Sequence, residues 1–277
     1  LGTHALDIGA MTVCMYTLRE RELVLDLTEM VTGARQTVSY VRIGGVRNDV
    51  PRDFFDKCRE FTELFPKRLE EYDTMIRENR IWLQRTVGIG VMTAEEAVNY
   101  GLTGGTLRGS GVNYDLRKVE PYAAYDKVEF DVPLGKNGDI YDRYIVRINE
   151  MRQSNRIIKQ CLDMMPPGPI TTADPRYAVP EKTQVMKSMQ SLAHQFVLMS
   201  KWIPMPKGEV YVATEAPKGE LGFYIVSDGS GRPYRIKIRA PSYVHVSALP
   251  KMVTGHMVAD VIACVGTIDI VLGECDR

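Results

Sequence analysis

The chain has 277 residues, of which 44% are apolar and 25% charged, an ordinary composition for a globular protein. Lysine and arginine together number 35, as do aspartate and glutamate, and this balance argues against a nucleic-acid-binding protein. No run of 18 apolar residues, the usual signal for a membrane-spanning helix, occurs, so we expect any link to a membrane to come through partner proteins.

The first part of the chain is predicted to be mainly helical. Residues 1–32 are predicted to form one long helix that stops at Gly33, because glycine commonly follows the last residue of a helix. Residues 37–43 alternate like a short strand. A second helical region is predicted over residues 52–78, with Pro66 as a kink or break.

Between residues 86 and 111 the sequence predicts a strand, a short helix and a loop. Residues 86–91 are strand-like, and residues 93–96 (Thr-Ala-Glu-Glu) fit a capping box for a helix that ends near Gly101. The glycine-rich residues 101–111 lack the glycine and lysine spacing of nucleotide-binding loops. We therefore expect a tightly turned loop that passes close to other backbone, and not a nucleotide site.

Residues 139–165 predict an amphipathic helix, which the prolines from Pro166 onward end. Its cationic residues, predicted to face solvent or a neighbouring subunit, are Arg143, Arg147, Arg152, Arg156 and Lys159. Residues 166–180 are predicted to be an internal linker within a single domain covering residues 1–277. A further helix is predicted at 181–202, closed by Pro204 and Pro206.

The last part of the chain changes to β-structure. Strands are predicted at residues 210–213, 222–226 and 234–239, with a hairpin turn at 228–231. The last strand alternates apolar and cationic side chains, and a final helix is predicted at 252–265. The fold class is therefore α+β, mainly helical, with a small antiparallel sheet in the C-terminal half.

Cysteine and histidine residues give no sign of a metal site. The five cysteines stand singly, with no C-x-x-C pair that would indicate zinc or an iron–sulfur cluster: Cys14, Cys58, Cys161, Cys264 and Cys275. Dispersed cysteines are typical of a reducing compartment. The histidines His194, His245 and His256 lack a spacing suited to a shared metal, and we interpret them as structural.

Short motifs in a fixed order run along the whole chain. They include Thr3-His-Ala-Leu-Asp-Ile-Gly9, Leu107-Arg-Gly-Ser-Gly-Val-Asn113, Glu129-Phe-Asp-Val-Pro133, Glu215-Ala-Pro-Lys-Gly-Glu220 and Arg239-Ala-Pro241. This set resembles the 49 kDa subunit of respiratory complex I, NADH:quinone oxidoreductase. Because the chain opens without an initiator methionine, we expect a C-terminal portion of a longer polypeptide or a separately encoded fragment.

The chain's ending also resembles that of nickel–iron hydrogenase large subunits, which runs Asp-Pro-Cys-x-x-Cys. Val271 and Glu274 stand at the two cysteine positions, and Lys218 stands where a hydrogenase motif has arginine. Thiolates suit a soft metal centre, whereas valine offers no lone pair and a carboxylate is a hard ligand. The resemblance therefore implies a hydrogenase-like fold without the metal.

Thr3 and Asp7 lie four residues apart and would share one helical face. An aspartate on an otherwise apolar face needs a partner, although it could simply cap or salt-bridge a neighbouring element. The resemblance implies that Thr3, Asp7, Val271 and Leu272 line a quinone cavity, where Asp7 pairs with a histidine from an upstream part, beside a tyrosine that contacts the quinone. Asp7 would then help to deliver protons. The neighbouring His4 is not assigned a role.

The resemblance also implies partners. This chain would bind no redox cofactor, and a small subunit bearing a [4Fe–4S] cluster would pass electrons to quinone. A 30 kDa-type subunit would lie next to this chain. The membrane arm of the complex would be coupled to it indirectly. The site would face the mitochondrial matrix, or the cytoplasm at a bacterial plasma membrane. Two alternatives stay open: a subunit of a ferredoxin-linked or hydrogenase-type complex, and a non-catalytic scaffold.

Overall fold

The computed structural model, which describes residues 1–201, 203 and 205–276, is mainly helical with two small antiparallel sheets. Its α-helices are α1 (Gly2–Asp7), α2 (Met11–Thr32), α3 (Arg52–Ile76), α4 (Arg80–Thr86), α5 (Ala94–Asn99), α6 (Gly104–Gly109), α7 (Leu116–Val119), α8 (Ile140–Met164), α9 (Lys182–Val185), α10 (Met189–Lys201), α11 (Pro241–Val253), α12 (Val258–Ile268) and α13 (Leu272–Asp276). Its strands are β1 (Val41–Arg42), β2 (Gly45–Val46), β3 (Gly208–Ala216), β4 (Gly219–Ser227) and β5 (Arg235–Arg239). The predicted α+β class is confirmed.

The first helical region is divided, so the prediction of one helix over residues 1–32 is wrong. α1 ends at Asp7, and α2 begins at Met11. Gly9 between them has a φ of +102°, a conformation that residues with a side chain rarely adopt. α2 ends where predicted, with Gly33 in the left-handed conformation. The break makes α1 a separate element that packs against both α2 and α12.

The long helices α2, α3 and α8 pack with α1 and α4 around one hydrophobic core. Its buried members are Ala5, Val13, Leu69, Tyr72, Ile76, Trp82, Tyr144 and Ile148. α3 continues through Pro66, so the chain does not break there. Through Ala5, this core fixes α1, which contains two of the predicted site residues, against the longer helices.

The predicted strand at residues 86–91 is not formed. Thr86 is the last residue of α4, and the segment after it turns sharply, with Gly90 at a φ of +62°. The capping box is confirmed: the backbone N–H of Glu96 donates to Oγ1 of Thr93 at 3.2 Å, and the Glu96 carboxylate accepts from the N–H of Thr93 at 3.1 Å.

The glycine-rich residues 101–111 contain the short helix α6, where the sequence predicted only a loop. The predicted close approach to other backbone is confirmed, because a Cβ atom on Gly104 would lie 2.6 Å from Cα of Gly219. A Cβ on Gly135 would likewise overlap the carbonyl of Gly109. The absence of side chains here lets the β3–β4 hairpin pack directly on α6.

α8 forms as predicted and begins after Asp139, whose carboxylate accepts the N–H of Asp142 at 2.8 Å. The prediction that its cationic residues face solvent or a neighbouring subunit is wrong for Arg143, which is completely buried. Its guanidinium donates to the carbonyls of Gly90 at 3.0 Å and Gly138 at 2.8 Å. Burial lowers the pKa of Arg143 to about 10, so the group stays charged at neutral pH and ties two loops together.

The segment 166–180 contains no helix or ladder strand; Thr171 forms a single bridge to Gly45. The helix predicted at 181–202 is divided into α9 and α10. Its predicted last residue, Trp202, and the predicted closing residue Pro204 lie outside the described residues. Within the part of the chain that is described, no helix is long and apolar enough to cross a membrane.

The larger sheet has the strand order β3–β4–β5, all antiparallel, which confirms the three predicted strands and the turn at 228–231. The β3–β4 pairing extends from Gly208↔Ser227 to Ala216↔Gly219. Lys218 therefore lies at the tip of this hairpin.

The helix predicted at 252–265 spans a boundary between two helices, α11 and α12, and is wrong in its limits. α12 is followed by α13, which the sequence did not predict. A second hydrophobic core lies beneath them and includes Met92, Leu102, Ile140, Ala248, Met252, Ala263, Cys264 and Ile268. This core positions the chain's last segment.

Candidate functional site

α1 packs against the last turns of α12 at a glycine. A Cβ atom on Gly266 would lie 2.6 Å from Cδ2 of His4 and 3.3 Å from Oδ2 of Asp7. Only glycine lets the two helices approach this closely. The Asp7 carboxylate is therefore held beside the C-terminal end of α12.

Asp7 is solvent-exposed, and the prediction that it sits on an apolar face of a long helix is wrong. The buried residues of α1 are Gly2, His4 and Ala5, whereas Thr3, Leu6 and Asp7 are exposed. The reason is that α1 is short and turns only one side towards the core. The carboxylate is therefore accessible to water and needs no buried partner.

His4 is the buried titratable group of α1. Its ring packs edge-on against Trp82, with the ring centroids 5.2 Å apart. Burial, together with the positive charge of Arg147, lowers the pKa of His4 to about 3. His4 is therefore neutral at physiological pH and is unsuited to donate protons there.

The C-terminal end of α12 also carries an ion pair that sequence reasoning missed. Asp269 ends α12 in the left-handed conformation, with a φ of +51°. Its Oδ2 lies 3.3 Å from Nζ of Lys218, at the tip of the β3–β4 hairpin. Only the three-dimensional fold brings these two motifs together, because 51 residues separate them in the sequence.

The hairpin is anchored close to its tip by buried Arg108, which bonds Glu215, the residue before the last strand pair Ala216↔Gly219. The guanidinium donates to the carboxylates of Glu150 and Glu215, each at 2.7 Å, and to the carbonyl of Tyr114 at 3.1 Å. Burial raises the pKa of Glu215, while the positive charge of Arg108 opposes that shift. This network joins α6, α8 and β3 and so directs the hairpin tip towards Asp269.

Val271 and Leu272 present apolar surface to solvent. Val271 is 42% exposed and Leu272 75% exposed. The backbone N–H of Val271 donates to Oγ of Ser242 at 3.2 Å. Because this bond fixes the backbone, the exposed valine and leucine form a defined apolar wall.

Glu274, at the second hydrogenase-cysteine position, serves as a helix cap. Its carboxylate accepts from the N–H of Ser242 at 3.1 Å and from the Ser242 hydroxyl at 2.5 Å. Ser242 lies in the first turn of α11, where a negative charge is favoured by the helix dipole. No group of three or more His, Cys, Asp or Glu placed to hold a metal occurs among the described residues.

Neighbours of both predicted halves of the site pack on the same hydrophobic core. Ile8, which follows Asp7, and Ile270, which precedes Val271, both pack against the second hydrophobic core. Thr3 is different, because it lines a cavity of about 630 Å³ between α1, α2, α3 and α8. Neither Asp7 nor Val271 lines that cavity, so Thr3 borders a separate space.

The fold and this region define the class of protein: a mainly helical α+β protein in which the first helix packs against α12, and α12 leads into an ending with exposed Val271 and Leu272. The chain belongs to the family described as "Respiratory-chain NADH dehydrogenase, 49 Kd subunit", whose model matches residues 7–277. The predicted family is confirmed.

Bacterial relatives, each of them a subunit of an NADH-quinone oxidoreductase, match over the full chain. The chain is 56% identical over 281 residues to the relative from Thermodesulfovibrio yellowstonii, covering 100% of this chain and 70% of the relative. It is 51% identical over 277 residues to the relative from Geotalea uraniireducens, covering 100% and 71%. The relative from Azoarcus sp. is 48% identical over 307 residues, covering 100% and 73%. The predicted enzyme class, a subunit of an NADH:quinone oxidoreductase, is confirmed.

Proposed function

We propose that this chain is a core subunit of a proton-pumping NADH:quinone oxidoreductase and forms one wall of its quinone cavity. The observation that supports the proposal is the contact of α1 with α12 at Gly266, where a Cβ atom would lie 3.3 Å from Oδ2 of Asp7 and which precedes Val271 by a few residues in the chain. Family membership supports the overall role. We also infer common ancestry with hydrogenase large subunits, because the motifs around Val271, Glu274 and Lys218 are similar. Within them, Val271 and Glu274 replace the two cysteines, and Lys218 replaces the arginine.

The chemistry divides between apolar and charged residues. Val271 and Leu272 supply apolar surface against which a quinone ring packs. Asp7 supplies a carboxylate that holds a histidine from an upstream part of the subunit and raises the pKa of that histidine, so that it can deliver protons. Thr3, one helical turn before Asp7, lines the separate cavity between α1, α2, α3 and α8, and its quinone-binding role stays a prediction.

The redox centre belongs to a neighbour in this proposal. The chain itself binds no redox cofactor, and quinone is its substrate; electrons arrive from a [4Fe–4S] cluster of an adjoining small subunit. A 30 kDa-type subunit adjoins, and the membrane arm is coupled indirectly. The bacterial relatives favour the cytoplasmic face of a bacterial plasma membrane over the mitochondrial matrix.

The proposal is tested by Asp7→Asn in the assembled complex. We expect quinone reductase activity to fall at least tenfold, while NADH oxidation by a water-soluble acceptor, which bypasses the quinone site, stays unchanged. Asp163→Asn, at an exposed aspartate of α8, is the matched control. Unchanged quinone reductase activity and unchanged inhibitor sensitivity in Asp7→Asn would contradict the proposal and favour a scaffold role.

A further inference from the structure

His245, in α11, is a completely buried histidine that contacts two segments distant from it in the sequence. Its Nε2 accepts the backbone N–H of Thr103 at 3.3 Å, and the backbone of Ile268 also interacts with the ring. Because Nε2 accepts, the ring is neutral and its proton lies on Nδ1. Burial, together with the charge of Arg147, lowers the pKa of His245 to about 4, which maintains this form at neutral pH.

Thr103 connects this histidine to the tip of the β3–β4 hairpin. It immediately precedes α6, and its Oγ1 accepts the backbone N–H of Glu220 at 3.1 Å. A Cβ atom on Gly219 would lie 2.5 Å from the same oxygen, so the hairpin turn rests directly on Thr103. Lys218 precedes Gly219 in this turn. A displacement of Thr103 would therefore displace Lys218.

Ile268 connects the histidine to the other partner of the ion pair. It is the last residue of α12 and is completely buried in the second hydrophobic core. Asp269 follows it directly, and Oδ2 of Asp269 lies 3.3 Å from Nζ of Lys218. His245 is therefore linked to both partners of the ion pair, to Asp269 through Ile268 and to Lys218 through Thr103.

The helix α11 holds the chain's last segment at a second point. Ser242 lies one helical turn before His245, and its Oγ accepts the backbone N–H of Val271 at 3.2 Å. The two side chains of α11 thus hold the backbone before and after Asp269, on the way to Val271.

A purely structural role does not account for a histidine at this position. Nδ1 is buried and has no well-formed hydrogen bond within the described chain. A buried polar group without a partner lowers stability, so an apolar side chain of similar size would pack better here. What an apolar side chain could not supply is the acceptor at Nε2, which the N–H of buried Thr103 needs.

We propose that His245 is a positioning residue of the candidate quinone site. It holds Lys218 and Asp269 at ion-pair distance and so sets the position of the backbone that leads to Val271. This inference rests on the proposed function, because that function makes the segment after α12 part of a quinone site. It goes beyond that function, because His245 is not among the residues proposed to contact quinone.

The first test compares His245→Leu with His245→Gln in the assembled complex. Leucine removes the acceptor, so the KM for quinone should rise about threefold with little change in kcat, the effect expected for Lys218→Met. The amide oxygen of glutamine can accept the N–H of Thr103, so His245→Gln should keep the KM of the unaltered complex. An unchanged KM in His245→Leu, a fall in kcat alone, or equal KM values for the two variants would overturn the proposal.

The second test asks whether His245 acts through the ion pair. In a Lys218→Met background the pair is already absent, so His245→Leu should add at most about 1.5-fold to the KM for quinone. A further rise of about threefold would show that the histidine acts independently of Lys218, and the proposal would be wrong.

Thr103 offers a pair of variants that leave the histidine in place. Thr103→Ala removes the hydroxyl that accepts the N–H of Glu220 and should raise the KM for quinone about threefold. Thr103→Ser retains the hydroxyl and should keep the KM. If His245→Leu fails to assemble, this pair decides the question, and equal KM values for Thr103→Ala and Thr103→Ser would overturn the proposal.

Failure of this proposal is distinguishable from failure of the proposed function. If Asp7→Asn retains quinone reductase activity and inhibitor sensitivity, the proposed function fails. If Asp7→Asn loses activity while His245→Leu and Thr103→Ala keep an unaltered KM, only the positioning role fails.

Discussion

Lys218 and Asp269 form an ion pair, with Nζ and Oδ2 3.3 Å apart, that joins the tip of the β3–β4 hairpin to the residue ending α12. The hairpin is fixed close to this tip by the bond from Arg108 to Glu215. The ion pair therefore connects a buried charge network to the segment that carries Val271. Asp269 suits this position, because aspartate tolerates the left-handed conformation better than most residues.

The first prediction concerns this ion pair. Asp269→Asn preserves the left-handed conformation but removes the charge, so we expect the KM for quinone to rise about threefold, the equivalent of the ~0.5–1 kcal/mol typical of a partly exposed pair. Lys218→Met should have the same effect. Steady-state kinetics of the assembled complex with a soluble quinone would measure it. If the double variant is no worse than either single variant, the two residues act as a pair; full additivity would refute the pairing.

The second prediction concerns the contact at Gly266. Gly266→Ala would bring a methyl group 2.6 Å from the His4 ring, so α1 must move away from α12. We expect a loss of ~1–3 kcal/mol in the free energy of unfolding, typical of overpacking, and a fall in quinone reductase activity. Chemical denaturation and quinone kinetics would measure the two effects. The control is Gly273→Ala in α13, where a Cβ would meet nothing within 4 Å. Equal behaviour of both variants would contradict the prediction.

The sequence predicted helix ends correctly where a capping residue marks them. The capping box at Thr93 and the left-handed Gly33 were identified correctly, because each satisfies backbone groups of its own helix. The break at Gly9 was missed, since a glycine within an apolar run is compatible with a continuous helix. The strand expected at residues 86–91 is replaced by a turn, in which Ile89 is buried while Val87 and Val91 stay exposed.

The candidate site was predicted by family resemblance more than by local pattern. The resemblance identified the residues, but it could not show that Asp7 is exposed, because a helical pattern does not reveal how long the helix is. Arg143 was assigned to the surface because arginine is rarely buried. The pair of Lys218 with Asp269 depends on a contact between distant segments, which no periodicity encodes.

The third prediction is a pH dependence of stability that arises from two buried histidines. Burial, with the charge of Arg147, lowers the pKa of His4 to about 3 and that of His245 to about 4. Both values lie below the usual 6.5 of an unfolded chain, so the unfolded state binds more protons below pH 6.5. The two histidines therefore leave the folded protein at its full stability above pH 6.5. This stability is lost as the pH falls through the folded-state pKa of His245, about 4, and then that of His4, about 3.

Each histidine should contribute a slope of ~1.4 kcal/mol per pH unit in the free energy of unfolding between pH 6 and 4. Denaturant unfolding of the chain at a series of pH values would measure it. His4→Gln should reduce this slope by ~1.4 kcal/mol per pH unit, the contribution of one proton. The same substitution at the exposed His256 is the control and should leave the slope unchanged. If the free energy of unfolding of His4→Gln changes with pH as steeply as that of the unaltered chain, the prediction for His4 is wrong.

The last prediction concerns Glu274 as the cap of α11. Glu274→Ala removes the acceptor of both Ser242 bonds, so α13 should detach from α11 and release the backbone of Val271 and Leu272. We expect a loss of ~1–2 kcal/mol in stability, as for removal of a helix cap, and faster amide hydrogen exchange confined to residues 271–276. The KM for quinone should rise in the same variant. Asp276→Ala, which removes an exposed carboxylate from the same helix, should change neither quantity. Slow exchange retained at residues 271–276 in Glu274→Ala would show that other contacts hold this segment.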